Sequence, residues 1–244
     1  MRIAVLSDIH GNLPALDAVL LEIEHEEFDL IVSGGDVASG PMPEACLERL
    51  AGLGDRVRWV RGNADREVVD AFDGKLDADE DEPALQSARF AAAQLDRSHR
   101  DLLASFEQTV EADGVLVCHG TPRSDTEVVT PRSSPSRLAE IVAGVTAPVV
   151  VGGHVHVQFI QRSGAVEWVN AGSVGWPYEG ADGAFWLALT PQGPDHRRTR
   201  YPLDGAATAI RATGYPQADN LIAAIHGQVT RDEAIEAFEP DATR

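Results

Sequence analysis

The sequence has few cysteines and no long apolar run, and each absence excludes a class of protein. Its two cysteines, Cys46 and Cys118, are too few for a disulfide scaffold and predict reduced residues of a cytoplasmic protein. No apolar run approaches the ~20 residues that a membrane span needs. The first residues enter a strand-like pattern, so no secretory signal is visible. We therefore expect a globular cytoplasmic protein.

Basic side chains are also scarce. The 244 residues include 20 Lys and Arg against 39 Asp and Glu, which gives a formal net charge of −19. A protein that coats duplex nucleic acid needs a basic face to displace counterions, and adhesion to an anionic membrane needs one as well. The charge therefore disfavours long nucleic acid and a membrane as partners. The oligomeric state is left open by the sequence.

What is present is a recurring pattern: a short apolar run followed by a polar cluster rich in Gly, Asp, Asn or His. The five runs begin at Ile3, Asp29, Val57, Gly114 and Ala147. Such runs predict buried strands with polar residues at their carboxyl ends. Helical spacing over residues 13–25 and a helical stretch over residues 43–50 lie between the first runs. This alternation predicts an α/β sheet with ligands along one edge.

The second half has a different pattern. Residues 159–162, 166–170, 184–190 and 198–203 predict strands joined by tight turns, and thus a second, antiparallel sheet. Residues 218–226 predict a helix, and a capping box of Thr230 with Glu233 predicts a last one, closed by Pro240. The acidic run over residues 77–82 is interpreted as a solvated loop. We expect one domain over residues 1–244, with a helical C-terminal extension over residues 205–244.

The polar clusters after the five runs contain seven side chains suited to metal binding. They are Asp8, His10, Asp36, Asn63, His119, His154 and His156. Carboxylate and imidazole groups are ligands for first-row divalent metals, and the lack of Cys in the set disfavours a closed structural zinc site. Singly, each motif is weak, since Asp36 could cap a helix and His119 could be a structural residue. Together, and in this order at strand ends, they predict a metal site.

The ordered motifs D-x-H, G-G-D, G-N-x-D, C-H-G and G-H-x-H resemble those of the calcineurin-like metallophosphoesterase superfamily, over roughly residues 1–175. Residues 170–173 resemble the N-x-G-S segment of its small prokaryotic, phosphodiesterase-like branch. The resemblance implies a four-layer α-β-β-α sandwich of two mixed sheets, with a dinuclear metal site at the strand carboxyl ends. It implies that one metal is held by Asp8, His10 and His156, that the other is held by Asn63, His119 and His154, and that Asp36 bridges them. Manganese is the favoured metal, and Fe, Zn, Co or Ni would suit the same ligands.

One position departs from the usual family pattern. Where G-N-H-D or G-N-H-E is common, with the His as general acid, this chain has Ala64. General acid catalysis is typically worth ~10²–10⁴-fold, so its loss predicts a preference for good leaving groups. Asp65 is the nearest candidate proton donor. Asn12 and Arg123 are the candidate substrate-binding residues, because Arg123 follows His119 closely and its guanidinium suits phosphate oxygens.

The predicted function is hydrolysis of small phosphodiesters, cyclic nucleotides among them, or of activated phosphomonoesters. The resemblance implies in-line attack by a hydroxide that bridges the two metals. Two alternatives stay open: a nuclease or RNA end-processing enzyme with the same centre, and a non-catalytic scaffold on the same fold. Two divalent metals leave the site about +1 despite two carboxylates and a hydroxide. An electropositive spot in an acidic surface predicts a small phosphate ester as the partner.

Overall fold

The structure, a computed structural model, describes residues 1–76 and 82–242, so all of the acidic run except Glu82 lies outside the described residues. The strands are β1 (Ile3–Leu6), β2 (Leu30–Ser33), β3 (Val57–Trp59), β4 (Thr109–Ala112), β5 (Val115–Cys118), β6 (Val149–Gly152), β7 (Phe159–Ser163), β8 (Val166–Asn170), β9 (Ala184–Thr190) and β10 (Gly193–Thr199). The helices are α1 (Leu13–His25), α2 (Pro43–Ala51), α3 (Asn63–Phe72), α4 (Pro83–Ala92), α5 (Arg97–Ala104), α6 (Pro135–Ile141), α7 (Leu203–Ala212), α8 (Ala218–Ile225) and α9 (Arg231–Ala242). None of the helices in the described ranges is both long and apolar enough to cross a membrane.

The strands form two five-stranded mixed sheets. The first has the order β10-β9-β1-β2-β3, in which β1, β2 and β3 are parallel and β9 and β10 are antiparallel to their neighbours. The second has the order β4-β5-β6-β8-β7, with a parallel centre and an antiparallel strand at each edge. The five strands predicted from the apolar runs, β1, β2, β3, β5 and β6, are all present.

The two sheets pack face to face and helices cover their outer faces. In β1, Ile3 and Val5 belong to the apolar layer between the sheets, whereas Ala4 and Leu6 belong to the layer under the helices of the first sheet. This alternation follows from the two-residue period of a strand. Leu138 of α6 packs on the outer face of the second sheet. The predicted four-layer α-β-β-α sandwich is confirmed.

The prediction that the second half supplies a separate antiparallel sheet is wrong in part. β7 and β8 join the second sheet, but β9 pairs antiparallel with β1, with Ile3 opposite Leu189, and β10 follows β9 at the edge of the first sheet. The apolar residues of β9 suit this central position, because Leu187 faces the other sheet and Trp186 faces the helices.

Two elements also have boundaries that differ from the predictions. The strand expected over residues 198–203 is β10, which ends at Thr199, because Leu203 begins α7. The last helix continues through Pro240 to Ala242. Its start is as predicted, since the Thr230 backbone N–H donates to Glu233 at 2.9 Å.

Candidate metal centre

The polar clusters after β1, β2 and β6 fold as tight turns with an uncommon backbone conformation. Asp8, His10, Asp36, His154 and His156 all have φ between 46° and 67°, in the left-handed region that non-glycine residues rarely adopt. Within the described ranges, seven non-glycine residues have positive φ, and these five predicted ligands are the majority. Strain of this kind clusters at functional sites, where the surrounding structure fixes side-chain direction.

One group of ligand atoms forms around Asp8. The ligand atoms of Asp8, His10 and His156 lie within 4.8 Å of one another. His156 Nε2 is 3.1 Å from Asp8 Oδ1, and His10 Nε2 is 3.3 Å from His156 Nε2. These are the three residues predicted to share one metal.

A second group lies beside the first. The ligand atoms of Asp36, His119 and His154 are again within 4.8 Å of one another. Asn63 lines a cavity that Asp36 and His154 also line. Asp36 Oδ2 is 3.3 Å from His119 Nε2 and 3.7 Å from His10 Nε2, so this oxygen lies between the two groups. That is the position a bridging carboxylate would need.

Three of the histidines are oriented by the backbone. The Nδ1 atoms of His10, His119 and His156 lie 3.0, 2.9 and 2.6 Å from the carbonyl oxygens of Ser39, Gly34 and Trp176. A carbonyl can only accept, so each Nδ1–H donates to it, and this contact directs each Nε2 toward a carboxylate of the centre. An imidazole that donates its other N–H in this way is typical of a metal ligand.

The site residues fit a cation on a further observation. Asp8 Oδ1, Asn63 Oδ1 and His119 Nε2 are buried atoms without a hydrogen-bond partner. Unpaired buried polar atoms are costly, and Asp8 Oδ1 and His119 Nε2 lie 3.9 Å apart, which indicates that something else satisfies them. Divalent cations would do so, and the oxygen and nitrogen donors are of the type that first-row metals accept.

The electrostatics of the two groups agree with this fit. Burial raises the pKa of Asp8, but His156 and His119 overcome it and hold that pKa at about 2. Burial lowers the pKa of His119, yet Asp36 and Asp8 raise it to about 10. Burial together with His119 lowers the pKa of His154 to about 4. The carboxylates are thus anionic at neutral pH, and they attract positive charge to His119 Nε2.

Asp65 has a different position from that of a proton donor. Its two carboxylate oxygens accept the backbone N–H groups of Asp36, Val37, Ala38 and Gly62 at 2.8–3.3 Å, and the residue is fully buried. Burial and the nearby Asp36 carboxylate raise its pKa to about 7. These contacts fix the turn that carries Asp36, so the structure favours a positioning role over the predicted proton transfer.

The segment over residues 170–173 holds two of the ligand turns. Asn170 Nδ2 donates to the Gly153 carbonyl at 2.6 Å, beside His154, and Ser173 Oγ donates to the Asp8 carbonyl at 2.8 Å. Gly62 is equally close-packed, since a Cβ built on it would lie 2.0 Å from Asp36 Oδ1. These motif residues therefore fix the turns that carry the predicted metal ligands.

The two predicted substrate-binding residues do not line the cavity above the centre. Asn12 is fully buried, caps α1 by accepting the Ala15 N–H, and donates to the Gly175 carbonyl at 2.9 Å. Arg123 donates to both oxygens of Glu127, at 2.7 and 2.6 Å, and lies in a neighbouring depression. Asn12 is thus held by structural hydrogen bonds and Arg123 by an ion pair, and a substrate contact of either residue stays a prediction.

Glu67 is a site residue that the motifs did not indicate. It lies one helical turn after Asn63 on α3, and Asn63 Nδ2 donates to Glu67 Oε1 at 3.3 Å. This contact fixes the amide of Asn63, whose Oδ1 is left buried without a hydrogen-bond partner. The i, i+4 spacing of Asn63 and Glu67 was the available signal, because such pairs face each other on a helix.

Comparison with known proteins agrees with the geometry. The sequence model described as the calcineurin-like phosphoesterase superfamily domain matches residues 1–191. Phosphodiesterase YfcE of Escherichia coli K12 is 26% identical over 197 residues, which cover 77% of this chain and 86% of that protein.

Two solved structures share the fold over most of the chain. A metallophosphoesterase from Sphaerobacter thermophilus has a TM-score of 0.75 and 26% identity, and the match covers 93% of this chain and 99% of that one. A hypothetical protein from Pyrococcus horikoshii has a TM-score of 0.77 and 18% identity, with 94% and 99% covered. The second likeness is one of fold alone.

Proposed function

The chain belongs to the calcineurin-like phosphoesterase superfamily, and on that premise we propose that it is a dinuclear metal-dependent phosphodiesterase acting on small esters. The observation that carries the proposal is the pair of ligand groups with Asp36 Oδ2 between them, 3.3 Å from His119 Nε2 and 3.7 Å from His10 Nε2. Asp8, His10 and His156 would hold one cation, and Asn63, His119 and His154 the other. Two divalent cations would supply Lewis-acid activation of the phosphoryl group and lower the pKa of a bound water.

The charge of the cavity supports a diester over a monoester. No Lys or Arg is among the described residues that line it, and Asp36 and Glu67 contribute negative charge. A phosphodiester carries one negative charge and a monoester carries close to two near neutral pH. With no basic side chain to meet the second charge, the monoanion is the better fit. Activated phosphomonoesters would be slower substrates.

The lining also supports a dependence on the leaving group. Ala64 lines the cavity where a general acid would stand in many relatives, and its N–H is used to donate to Asp36 Oδ1 at 2.8 Å. Asp65 is turned away from the cavity by its four backbone contacts. Esters whose leaving group departs without a proton, such as nitrophenolate, are therefore expected to react best.

The test is turnover of bis(p-nitrophenyl) phosphate and of p-nitrophenyl phosphate by protein stripped of metal and then loaded with manganese. We expect no turnover without metal, restored turnover with it, and the diester as the better substrate. Asp36→Asn and His119→Ala should each remove metal-dependent turnover, whereas Asp55→Asn and His25→Ala, at exposed positions, should retain it.

Two results would count against the proposal. If both site variants keep wild-type metal-dependent turnover, the assignment of the centre is wrong. If the purified protein binds fewer than about one manganese per chain when metal is in excess, a non-catalytic scaffold explains the fold better.

A further inference from the structure

The cavity above the metal centre has an aromatic wall. Its volume is about 290 Å³, and the metal ligands form one side of it. The lining also includes four aromatic rings, which form the aromatic wall: Trp176, Tyr178, Tyr215 and Phe238. Cleavage of a phosphate ester needs the metal-ligating residues only, so the exposed parts of these rings are available to another part of the ligand.

The wall is built largely from elements outside the motif-bearing strands. Trp176 and Tyr178 follow β8, Tyr215 lies between α7 and α8, and Phe238 lies on α9. The superfamily domain match ends at residue 191. The C-terminal helices thus contribute to the cavity without contributing a metal ligand.

The rings are held in place by neighbours in the structure. Tyr215 donates from its hydroxyl to Ser87 Oγ at 2.8 Å, and its ring meets Phe90 edge to face at 5.3 Å. Tyr178 stacks on His156 with ring centroids 4.8 Å apart. Trp176 meets His10 edge to face at 5.5 Å. A wall already fixed by such contacts binds a ligand with little loss of side-chain entropy.

Two amide side chains complete this part of the cavity. Gln217 and Asn220 line it beside the rings, and Asn220 Nδ2 donates to Gln217 Oε1 at 2.8 Å. Amides can pair with the polar edge of a flat heterocycle, while aromatic side chains contact its face. The volume lies at the low end for ligand cavities, roughly 300–1,000 Å³, so it suits one ring system and not an oligonucleotide.

The geometry points to a phosphodiester in which one substituent is a planar aromatic group, a nucleobase being the cellular example, with this group seated beside Trp176, Phe238 and the amides of Gln217 and Asn220. The inference rests on the proposed function, because the phosphoryl group must lie at the metal centre for the ring to reach the wall.

The test is binding, which does not require turnover. The probes are the methyl esters of phenylphosphonic, cyclohexylphosphonic and methylphosphonic acid, which share one monoanionic head and differ in one substituent. Calorimetry on manganese-loaded protein should give the phenyl ester about tenfold higher affinity than the methyl ester, since aromatic contacts add to area burial. The cyclohexyl ester should lie between them. A further pair, the methyl esters of adenosine 5′-phosphate and ribose 5-phosphate, isolates the base.

Variants locate the effect. Trp176→Leu should reduce the phenyl-to-methyl preference below about threefold, and Phe238→Leu, at a partly exposed position on α9, gives a second measurement should the first variant fold poorly. Trp59→Leu is the matched control, because Trp59 stacks on Phe106 and does not line the cavity. It should keep the full preference.

Equal affinity for the phenyl and methyl esters, or for the phenyl and cyclohexyl esters, would overturn the inference. So would an unchanged preference in both cavity variants. A phenyl preference with no hydrolysis of any diester would support the aromatic subsite while refuting the proposed function. Hydrolysis without a phenyl preference would do the reverse.

Discussion

Adding one methyl group at Gly62 should disable the metal centre without straining the backbone there. Gly62 has φ −89° and ψ 167°, which alanine adopts freely. The added Cβ would lie 2.0 Å from Asp36 Oδ1 and 2.4 Å from Asp36 N, whereas real Cβ contacts are essentially never under 3.0 Å. The carboxylate and its turn must therefore move by about 1 Å or more.

The cost follows from the contacts of Asp36. Displacement breaks the 2.8 Å hydrogen bond from the Ala64 N–H to Asp36 Oδ1, a bond to a charged group worth about 1.5–3 kcal/mol. It also moves the oxygen that lies between His119 and His10. A misplacement of about 1 Å can cost ~10²-fold in rate, so we expect a loss of that size in kcat/KM for a nitrophenyl diester.

The assay combines manganese content, diester turnover and urea unfolding for Gly62→Ala beside Gly205→Ala. Gly205 lies inside α7, and the nearest atom to a Cβ there is 4.0 Å away, so this control should keep its turnover and gain about 0.5–1 kcal/mol in unfolding free energy. If Gly62→Ala binds manganese normally and turns over within about threefold of wild type, Asp36 does not act from the position described above.

Three further outcomes are expected. Asn12→Ala should lower the unfolding free energy by about 1–3 kcal/mol, because the α1 cap is lost and the Gly175 carbonyl is left unpaired, and KM should stay unchanged. A raised KM with normal stability would instead support a role in substrate binding. Arg123→Gln should change kcat/KM by less than about threefold because Glu127 holds the guanidinium, and a loss above tenfold would show that it reaches substrate. In metal-free protein the pKa of His119 is raised from 6.5 to about 10, so the folded state binds a proton more tightly than the unfolded state. The unfolding free energy measured by urea titration should then fall as pH rises from 6.5 to 10. In His119→Asn this pH dependence should be absent. An equally steep pH dependence in that variant would show that His119 is not its source.

The two candidate ligand groups were predictable because the signal for their residues is local. Each ligand cluster directly follows a short apolar run, and the carboxyl ends of parallel strands meet at one edge of a sheet. The residue type and its position directly after a strand were enough to predict that Asp8 lies near His156. The same local signal predicted β1, β2, β3, β5 and β6.

The failures have a common physical origin in long-range packing and side-chain direction. β9 joins the first sheet through its pairing with β1, which the intervening turns do not reveal. The direction of the Asn12 side chain is set by the Gly175 carbonyl, 163 residues away in the sequence, which no local pattern reveals. The aromatic wall depends on Tyr215 and Phe238, which no motif connects to the metal residues.

The left-handed backbone of five ligand residues has a consequence for how this protein can be stabilised. At about 1–2 kcal/mol per residue, those five φ values cost an amount comparable to the net stability of many small domains, 5–15 kcal/mol. A search for stabilising substitutions in metal-free protein would therefore select glycine at positions such as Asp8 or His154, where glycine adopts positive φ without a penalty. Stability selection of this chain needs metal present throughout, because without it the selection would remove the candidate metal ligands first.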